Sequence, residues 1–295
     1  MLSILIPTYN YECLGLVEEL HRQAQTLSFP VEILIADDAS KEEMKRNNRK
    51  INRLNNCMFI ELKENIGRAR IRNFLSEKAQ YDLLLFIDSD AGLVSNDFLQ
   101  KYVSAIHGND VICGGLLYDR PIPSKQFSLR YYYGISAEEH SAKERNVHPY
   151  TKFSSFNFLI RKRIFQKILF DESFSGYGHE DTAFGIELEK RKIKINHIDN
   201  PLFHLGLEKN DAFLHKTEMG IENLYRYSDK LNGYVRLLST FNKVKKYRLQ
   251  VLLSFIFKKT RELMKKELLS NHPSMKIFAF YKLGYLCYIS NKQFK

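Results

Sequence analysis

Short apolar runs alternate with amphipathic segments along the first part of the chain. Runs 2–6, 31–36, 57–62 and 83–87 are apolar and too short for helices, so they are predicted to be β-strands. Run 83–87 is continuously apolar, which is typical of a central strand buried on both faces. Apolar residues recur at helical spacing in 14–27, which predicts a crossover helix. Strand–helix units that alternate in this way are typical of an α/β fold with a mostly parallel sheet.

Polar and acidic residues stand where three of these strands end. Thr8 follows the first strand, Asp38 lies just beyond the second, and Asp88 and Asp90 directly follow the fourth. Ligands of an open α/β sheet bind beyond the carboxyl ends of its strands, so these side chains are expected at a binding site. Two carboxylates so close repel each other unless a cation holds them, and oxygen ligands suit Mg²⁺ or Mn²⁺ carrying a phosphate-containing substrate. A solvated turn is the alternative interpretation of the Asp-Ser-Asp sequence.

Three arginines open the helix predicted after Gly67. Arg68 and Arg72 are one helical turn apart and share a face, which suits pairing with an anion at the same edge of the sheet. A solvated helix face is the alternative interpretation.

The middle of the chain contains a long insertion and a pair of adjacent acids. Residues 119–150, with Pro121 and Pro123, are predicted to form an irregular lid or substrate-binding loop. Glu180 and Asp181 begin a predicted helix, where they either complement the helix dipole or supply a general base. The other elements predicted here are helices 97–106 and 181–190 and strands 110–117, 153–160 and 193–198.

Positive charge is concentrated at the C-terminal end of the chain. The net charge is +11, and residues 230–295 hold 15 Lys or Arg against two acidic residues, whereas residues 1–229 carry a net charge of −2. This asymmetry predicts a near-neutral body, 1–229, and a basic extension, 230–295.

Several classes of protein are disfavoured by the sequence. It contains neither GxGxxG nor GxxxxGK[ST], the phosphate turns of dinucleotide-binding and P-loop proteins. The four cysteines have no metal-ligand spacing and are expected to be reduced thiols in a cytoplasmic protein. Met1 abuts the first strand, so no signal peptide is expected, and the apolar runs are far shorter than the roughly 18 residues of a membrane span.

Five short motifs, in this order, make the chain resemble the family 2 glycosyltransferases, which are inverting enzymes with the GT-A fold. The set covers about residues 1–205, and its order is more specific than any one motif. The resemblance implies a Rossmann-like, mostly parallel central sheet with flanking helices, followed here by the basic helical extension. The motifs are Pro7-Thr8-Tyr9-Asn10, Asp37-Asp38-Ala39-Ser40, Asn65-Ile66-Gly67 through Arg72-Asn73, Asp88-Ser89-Asp90 and Gly178-His179-Glu180-Asp181.

The resemblance also implies which residues bind the donor. Asp38 would accept a hydrogen bond from the nucleobase, usually uracil, and Arg72 would lie near the nucleoside or the diphosphate. The full set implied to bind the donor is Pro7, Thr8, Tyr9, Asp38, Asn65, Gly67, Arg72, Asp88 and Ser89.

The resemblance assigns the remaining roles to carboxylates and one histidine. Asp90 would bind a divalent cation, Mn²⁺ or Mg²⁺, that bridges the diphosphate, with Asp88 and His204 as further ligands. Asp181 would be the general base that deprotonates the acceptor hydroxyl, and Glu180 is the second candidate for that role.

The implied function is metal-assisted transfer of a sugar from a UDP-hexose or UDP-N-acetylhexosamine. The acceptor would be a hydroxyl of a glycan or of a lipid-linked acceptor in cell-surface polysaccharide synthesis. A sugar nucleotidyltransferase would need a glycine-rich loop with arginine after the first strand, which Pro7-Thr8-Tyr9-Asn10 is not. The alternative is an inactive sugar-nucleotide-binding or membrane-associated scaffold protein.

The basic extension contains apolar clusters at 251–257 and 277–281 between lysine pairs. These clusters predict amphipathic helices that either pack on the body or attach to an anionic membrane surface. In the second case the protein would be peripheral at the inner face of the plasma membrane. Nucleic acid is a disfavoured partner because no recognised binding motif accompanies the charge.

Overall fold

The computed structural model describes residues 1–120, 124–174 and 176–292. Pro121 and Pro123 of the predicted insertion, and Ser175 before the adjacent acids, therefore lie outside the described residues. The strands are β1 (Leu2–Thr8), β2 (Val31–Asp37), β3 (Cys57–Glu61), β4 (Leu83–Ile87), β5 (Ala91–Leu93), β6 (Val111–Cys113), β7 (Leu116–Leu117), β8 (Asn157–Arg161), β9 (Ile195–His197) and β10 (Leu202–His204).

Helices separate and follow these strands. They are α1 (Leu14–Ala24), α2 (Glu42–Asn48), α3 (Arg68–Lys78), α4 (Phe98–Ala105), α5 (Ser128–Ala137), α6 (Ala142–Val147), α7 (Lys162–Ile168), α8 (Glu180–Lys190), α9 (Asn210–Arg226), α10 (Ser228–Leu231), α11 (Arg236–Lys246), α12 (Gln250–Leu268) and α13 (Met275–Lys292). Among the described helices, none combines the length and the apolar character needed to span a membrane.

The chain divides into two compact units that are interleaved in sequence. Unit 1 comprises Met1–Leu117, Glu139–Ser173 and Glu180–Gly206, and unit 2 comprises Tyr118–Glu138, Phe174–His179 and Leu207–Lys295. These boundaries differ from the predicted division into a catalytic body, 1–229, and a basic extension, 230–295. That division stays a prediction.

Unit 1 is built around a seven-stranded sheet of order β3-β2-β1-β4-β8-β6-β9. Strands β1 to β4 pair with one another in parallel, β8 is antiparallel to both β4 and β6, and β9 is parallel to β6. A small second sheet has the order β5-β10-β7. The prediction of an α/β fold with a mostly parallel sheet and flanking helices is confirmed.

Both faces of the central sheet are covered, which explains the continuously apolar strands. On one face, Ile4 and Ile6 pack with Val17 of α1, and on the other, Leu5 and Phe86 belong to a second cluster of buried side chains. Each of these five side chains is fully buried. A strand buried on both faces cannot show polar alternation, and β1 and β4 show none.

The first strand extends further than predicted. Pro7 was expected to end the strand, but β1 continues to Thr8 and pairs with β2 through that residue. Pairing with β4 stops at Leu5, so the proline interrupts no hydrogen-bond ladder on that side.

The prediction of an irregular loop over residues 119–150 is wrong for most of that segment. It contains α5 in unit 2 and α6 in unit 1. In α5, Tyr131 is buried, and Tyr133 contacts Phe213 of α9 and Phe278 of α13 with ring centroids 5.6 and 5.4 Å apart. Aromatic packing on these helices gives a helical structure to a sequence that looks polar and aromatic in isolation.

Unit 2 ends in helices, as the sequence of the extension predicts. Helix α12 packs on α13, and Phe257 lies against Tyr281 with ring centroids 5.2 Å apart. At the open end of this pair, Gln250 donates hydrogen bonds to Ser290 and Asn291.

Candidate active site

The residues predicted to form a site lie in unit 1, at the carboxyl ends of β1, β2 and β4 and at the start of α8. The loops that follow β1 and β2 are joined to each other. The backbone N–H of Asn10 donates to Ser40 Oγ at 2.7 Å, and the backbone N–H of Lys41 donates to Asn10 Oδ1 at 2.9 Å. Thr8 is buried, whereas Tyr9 is 56% exposed. Pro7, Thr8 and Tyr9 therefore lie at the carboxyl end of β1, beside the loop that follows β2, and the Tyr9 side chain is exposed. Their role in nucleoside binding stays a prediction.

Asp38 holds the loop that leads into α3. Its Oδ1 accepts a hydrogen bond from the backbone N–H of Ile66 at 2.6 Å, and its Oδ2 accepts one from Gly67 at 3.0 Å. The Asn65 side chain donates to the Asp38 carbonyl at 3.1 Å, and Gly67 has a φ of +86°, which favours glycine. Burial raises the pKa of Asp38 and the two amide hydrogen bonds oppose that shift. The predicted hydrogen bond to a nucleobase would use the lone pairs that remain on this carboxylate.

Arg72 is an interior cation bound to the first acid of the Asp-Ser-Asp sequence. It is 2% exposed, and its guanidinium donates to Asp88 Oδ1 at 2.5 Å and to the carbonyl of Arg68 at 3.0 Å. The arginine also lies over the ring of Phe170 at 5.6 Å. Asp88 therefore has a positive partner within the protein, and the repulsion between Asp88 and Asp90 is reduced without a metal. Ser89, between the two acids, is buried.

His204 is brought to Asp90 by the small sheet. Antiparallel pairing of β10 with β5 sets His204 opposite Ala91, and His204 Nε2 lies 3.6 Å from Asp90 Oδ2. The imidazole stacks on Phe156 with ring centroids 5.3 Å apart. Burial raises the pKa of Asp90, the electrostatic interaction with His204 opposes this shift, and the negative charge of Asp88 adds to it.

The backbone also closes around Asp90. A Cβ atom at Gly206 would lie 2.1 Å from Asp90 Oδ2, so only glycine fits at this position. The backbone N–H of Leu205 donates to the Asp90 carbonyl at 2.8 Å. These contacts fix the second acid of the Asp-Ser-Asp sequence in one position.

The donor set fits a divalent cation that takes part of its coordination from a ligand. Within the described ranges, no group of three or more His, Cys, Asp or Glu side chains is arranged to hold a metal. The predicted set of Asp88, Asp90 and His204 is thus not brought together as three ligands, because Asp88 is directed to Arg72. Asp90 and His204 remain as one oxygen and one nitrogen donor. Mg²⁺ and similar ions are commonly held by one or two protein groups together with phosphate oxygens.

The adjacent acids at the start of α8 have different environments. Glu180 is 5% exposed, and Arg68 Nε donates to its Oε1 at 2.7 Å. Burial alone would raise the pKa of Glu180, but the charges of Arg68 and Arg72 outweigh it and the pKa is lowered. Burial raises the pKa of Asp181 to about 6, and the negative charge of Glu180 adds to this shift. The Asp181 carboxylate accepts hydrogen bonds from Thr182, whose backbone N–H donates to Oδ1 at 2.7 Å and whose hydroxyl donates to the same oxygen at 3.4 Å.

One carboxylate is therefore kept ionised by an arginine, and its neighbour is a base whose pKa is close to neutral pH. Two titratable groups whose environments separate their pKa values are typical of sites for proton transfer.

Some residues of the site were not singled out by sequence reasoning. Arg68 was noted only as sharing a helix face with Arg72, yet it links α3 to Glu180 and lies 3.8 Å from Asp88. Tyr11 was missed; its pKa is raised by burial and by the charge of Asp90, which indicates that it lies near that carboxylate. The stacking of Phe156 on His204 was also missed, because no sequence pattern pairs residues from strands so far apart in the chain.

Comparisons with known proteins agree with this geometry. The sequence model of the family described as "Glycosyl transferase family 2" matches residues 3–169. A chondroitin synthase of Pasteurella multocida is 25% identical over 219 residues, which cover 63% of this chain and 23% of that protein. The aligned regions span between 23% and 48% of the length of the curated relatives.

Two solved structures share the fold. Staphylococcus aureus TarS 1-349 in complex with UDP aligns with a TM-score of 0.52 at 19% identity, covering 100% of this chain and 92% of that one. The mannosyltransferase PcManGT of Pyrobaculum calidifontis, in complex with GDP-Man and Mn²⁺, aligns with a TM-score of 0.58 at 12% identity, covering 99% and 86%. Because the family model spans more than half of the sequence, and the sheet is that of a GT-A glycosyltransferase, the chain belongs to glycosyl transferase family 2.

Proposed function

We propose that the chain is an inverting glycosyltransferase that moves a sugar from a nucleotide-diphospho-sugar to an acceptor hydroxyl. The observation that carries this proposal is the pair of acids at the start of α8. Glu180 is held ionised by Arg68, and Asp181 has a pKa raised to about 6. A base with such a pKa can take a proton from a hydroxyl near neutral pH and return it to solvent.

The chain's own residues supply most of the proposed mechanism. Asp38 and the loop of Asn65 to Gly67 would bind the nucleoside, and Tyr9 would cover it. Asp181 would accept the proton of the acceptor hydroxyl as that oxygen attacks the anomeric carbon. Attack from the side opposite the leaving group inverts the configuration in one displacement. The charge of Glu180 keeps Asp181 basic and is itself neutralised by Arg68.

Asp90 and His204 would hold a divalent cation, Mn²⁺ or Mg²⁺. When bound, such an ion would stabilise the negative charge that develops on the leaving nucleoside diphosphate. The presence of Mn²⁺ with GDP-Man in the mannosyltransferase of the same fold supports this choice of cofactor.

We propose a UDP-hexose or UDP-N-acetylhexosamine as the donor and a glycan or lipid-linked hydroxyl as the acceptor. The binding of UDP by the similarly folded TarS 1-349 supports a uridine donor, and the chondroitin synthase among the relatives supports a role in polysaccharide synthesis.

Thermal unfolding across a panel of UDP, GDP and their sugars, each with and without Mn²⁺, tests the donor site. A ligand that binds the native state raises the melting temperature by mass action. We expect a shift with UDP plus Mn²⁺ that is absent with GDP or without metal. No shift with any nucleotide, followed by no turnover with any donor, would favour the inactive scaffold instead.

Two alanine variants separate the metal site from the base. Asp90→Ala is expected to abolish transfer and to remove the Mn²⁺-dependent part of donor binding. Asp181→Ala is expected to abolish transfer with donor binding retained. Asp82→Ala, which removes an exposed acid of unit 1, is the matched control and should keep both. Equal donor affinity in wild type and Asp90→Ala would reject the metal assignment.

A further inference from the structure

Helix α12 carries an apolar surface on the side that faces away from its partner helix. Val251, Leu252, Phe255 and Leu263 are 71, 53, 59 and 71% exposed. At 100° per residue these positions fall on one side of the helix, and we call this side the outer face of α12. Single exposed apolar side chains are ordinary on protein surfaces, but four on one face of one helix form a patch.

The opposite side of the same helix is buried by packing. Phe257 and Leu268 are fully buried, and Met264 is 8% exposed. A Cβ atom at Gly284 of α13 would lie 2.7 Å from the Phe257 ring, which shows how closely the two helices approach. The apolar residues of the outer face are therefore not needed for the fold of the α12–α13 pair.

Lysines are interleaved with the apolar residues of the outer face. Lys258, Lys259 and Lys266 are exposed, and Lys259 lies over the ring of Phe255 at 5.9 Å. Glu262 is the one acidic residue of α12 on this side. Long lysine side chains can lie along apolar surface and carry their ammonium groups outward to meet anions.

The turn before α12 continues this pattern. Tyr247 and Leu249 are 68 and 45% exposed, and Lys245, Lys246 and Arg248 beside them are also exposed. Apolar and basic side chains thus extend without interruption from the end of α11 onto the outer face of α12.

Charge decides which partner fits this surface. Pairing of two copies through the same patch would set its lysines opposite the same lysines, because a two-fold contact uses one surface twice. An anionic lipid bilayer offers negative headgroups for the lysines and an apolar layer for the side chains between them. A helix with such mixed apolar and basic residues lies in the plane of the membrane surface.

We propose that the outer face of α12, with the turn that precedes it, docks on the surface of an anionic lipid bilayer. Phe255, Leu252 and Leu263 insert between the headgroups, and Lys259 and Lys266 contact lipid phosphates. The inference does not depend on the proposed transfer reaction, since it concerns a surface of unit 2 and a measurement that needs no donor.

Co-sedimentation of the full chain with vesicles tests the proposal. Phosphatidylcholine vesicles with and without phosphatidylglycerol are compared at low and high salt. We expect sedimentation only with phosphatidylglycerol and a loss of binding as salt rises. Phe255→Gln/Leu263→Gln should bind about tenfold more weakly or worse, since insertion energy scales with the apolar groups buried. Met58→Gln, at a 52% exposed site on β3, is the matched control.

Charge is tested separately by Lys259→Glu/Lys266→Glu. Its control is Lys50→Glu/Lys143→Glu, which changes the net charge equally at exposed sites of unit 1. Weak binding of the first variant with normal binding of the second supports the proposal. Equal loss in both would show that only net charge matters and would overturn it. A wild-type dimer that dissociates in Phe255→Gln/Leu263→Gln, without vesicle binding, would also overturn it in favour of a second copy.

Discussion

At the scale of single residues, the adjacent acids of α8 show how environment divides two similar side chains. Glu180 and Asp181 are neighbours in sequence, yet the pKa of the first is lowered and that of the second is raised. Position in the helix cannot separate them, because both lie in its first turn. Arg68, which reaches from α3, makes the difference.

Asp181 gives a prediction for the pH dependence of transfer. A general base acts in its deprotonated form, and the pKa of Asp181 is raised to about 6, so the rate should fall as pH drops below about 6. Asp181→Asn should lower kcat by about 10²–10⁴-fold. Steady-state rates between acid and neutral pH check this, with Asp82→Asn as the control. An unchanged pH profile in Asp181→Asn would assign the base elsewhere.

Arg68 gives a prediction for stability. Arg68→Leu leaves the buried Glu180 without its cation and should lower the free energy of unfolding by about 1–2 kcal/mol, a value reduced because Arg68 is half exposed. Arg70→Leu removes an exposed pair with Glu172 and should cost less than about 0.5 kcal/mol. Urea unfolding of both variants measures the difference.

The pH dependence of that loss follows from the pKa of Glu180. A carboxyl whose folded-state pKa is lowered stabilises the protein above its unfolded value of about 4.3 and loses this contribution as pH falls through the folded-state pKa. The difference between wild type and Arg68→Leu should therefore shrink in acid. A constant difference would mean that Arg68 acts through packing.

At the scale of elements, the sequence predicted the strands of unit 1 well and the insertion poorly. The strands β1, β2 and β4 are local apolar runs, and their burial on both faces is recognisable in the sequence as continuous hydrophobicity. Helix α5 lacks such a pattern, since its Tyr133 packs against Phe213 and Phe278 of helices that come much later in the chain.

The close approach of α12 and α13 gives a prediction at this scale. Gly284→Ala would bring a Cβ atom to 2.7–3.0 Å from three atoms of Phe257, so it should destabilise unit 2 by about 1–3 kcal/mol. Gly15→Ala in α1 meets no atom within 4 Å and should stabilise by about 0.5–1 kcal/mol. Thermal unfolding shows whether each variant has a lower or a higher melting temperature than the wild type. Equal changes in melting temperature would contradict the close packing of α12 on α13.

At the scale of the whole molecule, the sequence was enough to indicate the family and the approximate position of the site. It did not indicate which side chains of the site pair with each other. The order of the motifs could be recognised because four of the five follow strands of one sheet. The pairing of Asp88 with Arg72 takes Asp88 out of the predicted three-ligand set. It depends on the rotamers of a buried and a partly buried side chain, which no sequence pattern indicates. The two units likewise interleave three segments each, so no single boundary in the sequence could mark them.

Donor binding should be visible in the unfolding of the whole chain. At a ligand concentration of about 100 times Kd the native state gains about 2.7 kcal/mol, which corresponds to a rise in melting temperature of several degrees. All the predicted donor and metal residues lie in unit 1. If calorimetry resolves two transitions, we expect UDP plus Mn²⁺ to move only the one assigned to unit 1. A shift confined to the other transition would place the donor site in unit 2.

The pairing of β10 with β5 also has a consequence for the order of folding. It brings Asp90 and His204 together across a longer stretch of chain than the β1–β2, β2–β3 and β1–β4 pairings span. Contacts between distant segments carry the larger cost in chain entropy and form slowly. On the ribosome, strands β1 to β4 can therefore pair while Asp90 is still without His204. Under the proposal that Asp90 and His204 hold Mn²⁺, affinity for Mn²⁺ should appear late in refolding, and its rise can be followed with time.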